Sequence, residues 1–317
     1  MNEGLDRAIA AVVRDCLAVR RGEDVLVICN PATREIGEWL RDEAETAGAD
    51  AVLAVMSERG SHAEEPPDSL AVAMLKADVV LAPTVQSLSH TAARKAATEA
   101  GVRIATLPGV TTEMLARVMS ADMEELRRRG RAIADALTSG SEAVITCPNG
   151  SDLRLGLEGR TAIADDGRLT ERGAFGNLPC GEGFIAPVEG TSDGQIVADG
   201  TIATVGVPAE PVTLAVKRGH LTQASGEEGA RLMDLLTAHG PEGTNVAELG
   251  IGANEKAILS GNVLEDEKIL GTVHVAFGAS AAIGGTVQVP VHLDCVVTKP
   301  SLTVDGEPVV SDGALLL

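Results

Sequence analysis

Five ionisable side chains in the C-terminal half of the chain have the types and settings of metal ligands. The segment VPVHLDCVV (Val289–Val297) reads as a buried strand, yet it carries His292 and Asp294. Residues two apart on a strand point to the same face, so the imidazole and the carboxylate emerge side by side. A buried carboxylate without a partner is costly. Two arrangements compensate it: a hydrogen bond between the two residues, or a metal ion that both ligate. His274 interrupts a second apolar run, GTVHVAFG, while Glu248 lies in VAELGIG and Glu182 in LPCGEGFIAP. Such glycine-rich, apolar flanks lower the local dielectric and leave a charge in need of a partner. Taken singly, each residue has an ordinary reading, as a hydrogen-bonded core histidine or a glutamate at a turn. Taken together, two imidazoles and three carboxylates from four segments of one region point to a metal site.

The elements that must position these groups fall into two kinds. DVLVIC (Asp24–Cys29), AVLAVM (Ala51–Met56), DVVLAP (Asp78–Pro83) and VRIATLP (Val102–Pro108) are short apolar runs suited to strands buried on both faces. Helical patterns separate them, two ending at Gly48 and Gly101 in plausible left-handed caps. Strand–helix alternation predicts a parallel sheet covered by helices on both faces. A further helix over about Ala121–Leu137 closes this region, and TSGSE (Thr138–Glu142) reads as a linker. Beyond it, Asn149-Gly150 between two apolar runs is a strong hairpin signal. Alternating, glycine-rich strands follow, with one helix near Glu227–Ala238. The expectation is therefore α/β plus α+β: an N-terminal parallel α/β domain over residues 1–138 and a β-rich metal-binding domain over residues 139–317.

Bulk properties narrow the chemistry. The 317 residues are 44% hydrophobic and 23% charged, as in a folded globular protein. Aromatics are 1% and tyrosine is absent, so the core must be aliphatic. The net charge of −20 repels phosphate backbones and anionic membranes, which argues against nucleic-acid or membrane partners. The basic run LRRRGR (Leu126–Arg131) reads as a solvated helix face. Five scattered cysteines without CxxC spacing suit free thiols in a reducing compartment. The N-terminus has no signal-peptide pattern and no run reaches membrane-spanning length, so a cytoplasmic location is expected. The first strand–helix turn, CNPATREIG, lacks the dinucleotide fingerprint, and no phosphate-binding loop is present. His90, in SLSHT, falls where a strand–helix loop ends, a position at which ligands bind in such sheets. It is taken as a substrate contact across the domain interface. The structural alternative is a residue of the next helix's first turn, beside Ser87 and Ser89.

Four segments carry a family resemblance: NLPCGEGFIAPVEGTSDGQIVADG, NVAELGIGANEKA, EDEKILGTVHVAFG and VHLDCVVTKPSLTVDG, in order across most of Asn177–Gly306. They resemble the aminopeptidase T family of thermophilic metallo-aminopeptidases. The resemblance implies that Glu182, Glu248, His274, His292 and Asp294 bind two divalent ions of the zinc, cobalt or manganese kind. It further implies a homodimer, and hydrolysis of short peptides from the N-terminus by a metal-activated water, with Glu248 as ligand and proton acceptor. One departure stands out. The family places a tyrosine shortly after the motif histidine, and here Ala281 occupies that position. Loss of a transition-state donor costs roughly 2–4 kcal/mol of barrier. A relative of the family, the dihydroxypyridine ring-cleaving dioxygenase of nicotinate breakdown, is similar in the same motifs. It implies one Fe(II) held by His274, His292 and Asp294, with Glu182 and Glu248 outside the ligand set and a small hydroxylated ring as substrate. The hydrolase is the leading expectation and the dioxygenase the alternative. A binding protein that keeps the motifs without activity is the third.

Overall fold

The computed structural model describes residues 3–317. In chain order the strands are β1 (Asp24–Cys29), β2 (Asp50–Val55), β3 (Val79–Ala82), β4 (Arg103–Thr106), β5 (Glu142–Cys147), β6 (Ser151–Gly156), β7 (Ile163–Asp165), β8 (Phe175–Asn177) and β9 (Glu182–Ile185). They continue with β10 (Asp193–Ala198), β11 (Val212–Lys217), β12 (His220–Ala224), β13 (Val246–Gly252), β14 (Val273–Gly278), β15 (His292–Val297), β16 (Ser301–Val304), β17 (Glu307–Ser311) and β18 (Ala314–Leu315). Contacts divide the chain into two compact units. One comprises the residues up to Ala121 with Gly167–Cys180, the other Asp122–Asp166 with Gly181–Leu317.

The first unit is built on a parallel sheet in the order β2-β1-β3-β4-β8. The helices α1 (Glu3–Ala10), α2 (Arg34–Thr46), α3 (Asp68–Met74), α4 (Ala92–Glu99) and α5 (Thr112–Val118) accompany it. β3 and β4 are buried throughout, as their apolar runs imply. β2 departs from that expectation. It has one strand neighbour, and Val52 is 59% exposed. The Gly48 and Gly101 caps form with positive φ, which glycine adopts without steric cost.

The second unit contains an antiparallel sheet in the order β12-β11-β10-β6-β5-β16-β17-β18 and a second in the order β15-β14-β13-β9-β7. The Asn149-Gly150 hairpin joins β5 to β6, with Cys147 opposite Ser151. Alternate side chains of both sheets meet in one buried cluster. Ile145, Leu153, Ile196 and Leu214 come from the larger sheet, and Leu249, Ile251, Val275 and Phe277 from the smaller. Burying each such side chain stabilises the fold by about 1.5–3 kcal/mol relative to exposure. The core is therefore aliphatic apart from Phe277, as a chain so poor in aromatics requires.

Two elements differ from the sequence expectation. The helix predicted to close the N-terminal region is α6 (Met123–Ser139), and it belongs to the second unit. Asp122 caps it by accepting hydrogen bonds from the amides of Glu124 and Glu125. Its buried face, with Leu126, Ile133 and Leu137, packs on β9 and β7. Gly130 and Gly183 make the close approach between α6 and β9: a side-chain carbon on Gly183 would lie 2.6 Å from Ile133. Conversely, residues 167–180 return to the first unit, where β8 adds a parallel strand beside β4. Of the arginines of α6, Arg128 and Arg131 are exposed while Arg127 and Arg129 are half-buried; Arg128 pairs with Glu125 and Arg129 with Glu255. Among the described residues no helix is long and apolar enough to cross a membrane. None of the five cysteines forms a disulfide among the described residues.

Candidate metal centre

The ladder register of the smaller sheet brings the predicted ligands to one face. Glu182 lies opposite Gly252, and Gly250 opposite His274. Ala276 of β14 stands between Glu248 on one side and Asp294 on the other, and Gly278 is opposite His292. With a side-chain period of two, these residues share a face, while Leu249, Val275, Phe277, Leu293 and Cys295 turn to the core. Where a ligand does not stand, the central positions of this face hold Gly250, Gly252, Ala276 and Gly278. Space above the sheet is thereby left for the ligand side chains.

The distances fit a shared ion. One ligand atom each from Glu182, Glu248 and His274 lies within 4.8 Å of the others, and the same holds for Glu248, His292 and Asp294. A third such group is Glu267, His274 and Asp294. His274 Nε2 is 3.1 Å from Glu182 Oε2 and 3.3 Å from Glu248 Oε1. His292 Nε2 is 3.3 Å from Glu248 Oε2 and 3.6 Å from Asp294 Oδ1. His292 Nδ1 donates to the Ala279 carbonyl at 2.8 Å. That bond fixes the ring orientation and leaves Nε2 for the cluster, the usual support of a ligating histidine. The His274 side chain is 1% exposed, against 12% for His292 and 13% for Asp294, so the cluster opens on the β15 side.

Three charged residues at the site escaped the sequence reading. Lys268 is fully buried, and its Nζ donates to Glu182 Oε1 at 2.5 Å and Glu267 Oε1 at 2.7 Å. Asp165 Oδ2, on β7, is 3.6 Å from the same ammonium. The only local signal was the EDEK run before His274, which reads as a solvated turn.

Burial opposes charge on every one of these groups, and their neighbours decide the outcome. Burial pushes the Asp165 carboxyl up to about 7 and that of Glu267 up to about 8, against the attraction of Lys268. Burial also acts against ionisation of Glu182, but Lys268 and His274 outweigh it and hold that carboxyl below its ordinary value. Glu248 and Asp294 are likewise held low despite burial, by the imidazoles beside them. Desolvation alone would lower His274 and His292; the surrounding carboxylates instead raise both well above the ordinary histidine value. Protons on the two imidazoles are thus held by the charge a cation would satisfy.

The residues fit a divalent ion on two further grounds. Glu182 Oε2 is buried without a hydrogen bond, because the single Nε2 proton of His274 aligns with Glu248 instead. The donors are imidazole nitrogens and carboxylate oxygens, a set that suits first-row metals such as iron, manganese or zinc. His90 belongs to the first unit. It is exposed in the turn before Thr91, the N-cap of α4, and no candidate metal group among the described residues includes it. Ala281 opens a short 3-10 turn and is exposed.

The profile of the 2,5-dihydroxypyridine 5,6-dioxygenase (NicX) family matches residues 7–317. The 2,5-dihydroxypyridine 5,6-dioxygenase of Pseudomonas putida KT2440 is 25% identical over 257 residues, covering 76% of this chain and 71% of that protein. The structure of 2,5-dihydroxypyridine dioxygenase from Pseudomonas putida KT2440 superposes with a TM-score of 0.86 at 20% identity, over 98% of this chain and 96% of the other. Wild-type AmpT from Thermus thermophilus shares the fold, with a TM-score of 0.73 at 17% identity over 99% of each chain. The likeness to the two solved structures supports the mixed α/β fold with its parallel and antiparallel sheets. The leading expectation of an aminopeptidase-type hydrolase, a metalloprotease acting on peptides, is overturned by the family match and the sequence relative. Both point to the ring-cleaving alternative. The motifs that carried the aminopeptidase resemblance are those of the metal face, which does not by itself fix the reaction. Family and donor groups agree on a divalent metal cofactor.

Proposed function

Because the chain belongs to the 2,5-dihydroxypyridine 5,6-dioxygenase family, we propose that it is an Fe(II)-dependent dioxygenase that opens a hydroxylated pyridine ring. The observation that carries this reading is that His274, His292 and Asp294 share one sheet face, with Asp294 close to His292 in one candidate ligand group and to His274 in another, in a chain whose family match spans residues 7–317. Two histidines and one carboxylate form the set that holds non-haem iron while leaving positions open for substrate and dioxygen.

In this reading His274, His292 and Asp294 hold the iron. Bound Fe(II) supplies the redox chemistry by which dioxygen and an electron-rich ring react. The chain's own contribution is positioning, proton handling and exclusion of water. The Nδ1–H bond of His292 to the Ala279 carbonyl keeps its Nε2 lone pair toward the cluster. Glu248 stays outside the ligand set and accepts the proton of a ring hydroxyl at Oε2, the oxygen nearer His292. The buried flank formed by His274, Glu182 and Glu248 keeps bulk water from that side. Substrate enters from the more open side of His292 and Asp294. A small planar ring suits an aliphatic protein of this kind better than a polyanion would, given the net charge of −20.

The test is turnover of 2,5-dihydroxypyridine by protein purified without oxygen and loaded with Fe(II). Expected are oxygen uptake, loss of the ring's ultraviolet absorbance, and both atoms of labelled dioxygen in the product. Absence of turnover in Fe(II)-loaded protein, or label entering only from water, overturns the reading.

A further inference from the structure

Lys268 is a fully buried lysine whose ammonium lies at the edge of the candidate centre. The fold builds it in. The segment Lys268–Ile269 runs against β13 at Gly252, where an added side-chain carbon would meet the Ile269 carbonyl at 2.0 Å. The Lys268 amide bonds to the Glu265 carbonyl, and its own carbonyl accepts from the Asn254 amide. Its ammonium then reaches three carboxylates, Glu182, Glu267 and Asp165. A buried ammonium is tolerated only with such partners.

The ligand groups overlap in a way that could hold two ions. Glu182, Glu248 and His274 form one group and Glu248, His292 and Asp294 another, joined through Glu248. Glu182 divides its two oxygens: Oε1 is committed to Lys268, and Oε2 faces His274. A cation on the Glu182 group would share that carboxylate with a fixed positive charge in a low-dielectric setting, where like charges repel strongly.

We propose that Lys268 is a built-in second cation of the centre: it occupies Glu182 in place of a metal ion and limits the site to one divalent ion on His274, His292 and Asp294. Lys268 is thus a positioning residue that decides the metal count. The inference rests on the iron-centre reading for the ligand set, but concerns stoichiometry instead of the reaction.

The experiment is titration of metal-free protein with Mn2+, followed by electron paramagnetic resonance and elemental analysis. Wild type is expected to bind one Mn2+ per chain, without the spin coupling of a neighbouring pair. Lys268→Met should bind a second Mn2+ and show that coupling, whereas Lys268→Arg, which keeps the charge, should bind one. Glu182→Gln should also keep one, since Glu182 serves the lysine. Two Mn2+ in wild type, loss of the ion in Glu182→Gln, or a folded Lys268→Met that still binds one would each overturn the proposal. If Lys268→Met does not fold, wild-type stoichiometry and Glu182→Gln decide. Failure of ring cleavage in a one-metal protein would count against the dioxygenase reading and leave this inference standing.

Discussion

His274 stands directly across the ladder from Gly250, so close that a side-chain carbon on Gly250 would lie 2.0 Å from the imidazole Nε2. The imidazole can lie over the sheet only because the facing residue has no side chain. Gly250→Ala is therefore expected to displace His274. Overpacking of this kind costs about 1–3 kcal/mol of stability. Metal affinity should fall by at least the roughly 10–100-fold seen when support of a ligand is lost. Calorimetric Mn2+ binding checks it, and unchanged affinity in the variant would refute it.

His292→Ala and Asp294→Asn each remove a proposed iron ligand. Both should lose the metal and ring-cleaving activity, by more than the roughly 10–100-fold attached to an outer partner. Elemental analysis of the purified variants, beside oxygen uptake, makes the comparison. A variant that retains stoichiometric iron would exclude that residue from the ligand set.

Metal removal should leave a folded but less stable protein. The cluster gathers carboxylates that a divalent ion would neutralise, so an ion that binds only the folded state adds stability. The gain is about 2.7 kcal/mol when free ion is 100 times its dissociation constant. Melting of chelator-treated protein with and without added Mn2+ reads this directly. Identical melting temperatures would argue against a metal at this cluster.

Phe277 is the neighbour of Ala276 on β14 but turns to the opposite face, into the core. Phe277→Ala should cost about 3–5 kcal/mol through the cavity it leaves. The ligands on the other face are untouched, so metal stoichiometry below the unfolding transition should stay at the wild-type value. Denaturant titration and elemental analysis test the two halves separately.

Cys147 is half-buried, whereas Cys16, Cys29, Cys180 and Cys295 are buried. Burial also raises the Cys29 and Cys295 thiols, which disfavours the reactive thiolate. Alkylation of native protein should therefore label Cys147 first, and peptide mapping would show any other order.

Much of the architecture was legible because it is local. The β1 run, the glycine caps at 48 and 101 and the Asn149-Gly150 hairpin follow from neighbouring residues. The residues of the candidate cluster stood out for the same reason, each a histidine or acid in an apolar strand or beside one. What depends on distant partners was not. β8 has three residues, and its place beside β4 is set by a pairing far away in sequence. The apolar stripe of α6 specifies that it packs, but not on which sheet. Lys268 looks like one charge in a polar run, and its burial becomes intelligible only with Glu182, which lies 86 residues earlier. The reaction was misjudged because the ligand motifs describe a metal-binding face, and such a face serves more than one chemistry.

The register of β13, β14 and β15 has a last consequence. Every proposed ligand on these strands depends on odd–even alternation, so slipping one strand by a single residue would turn its donors into the hydrocarbon side and bring aliphatic groups out in their place. A tightly held ion is then a proofreading signal: it can be retained only by a molecule whose hairpins have annealed in the correct alignment, and metal retention becomes an assay for misassembled β-structure.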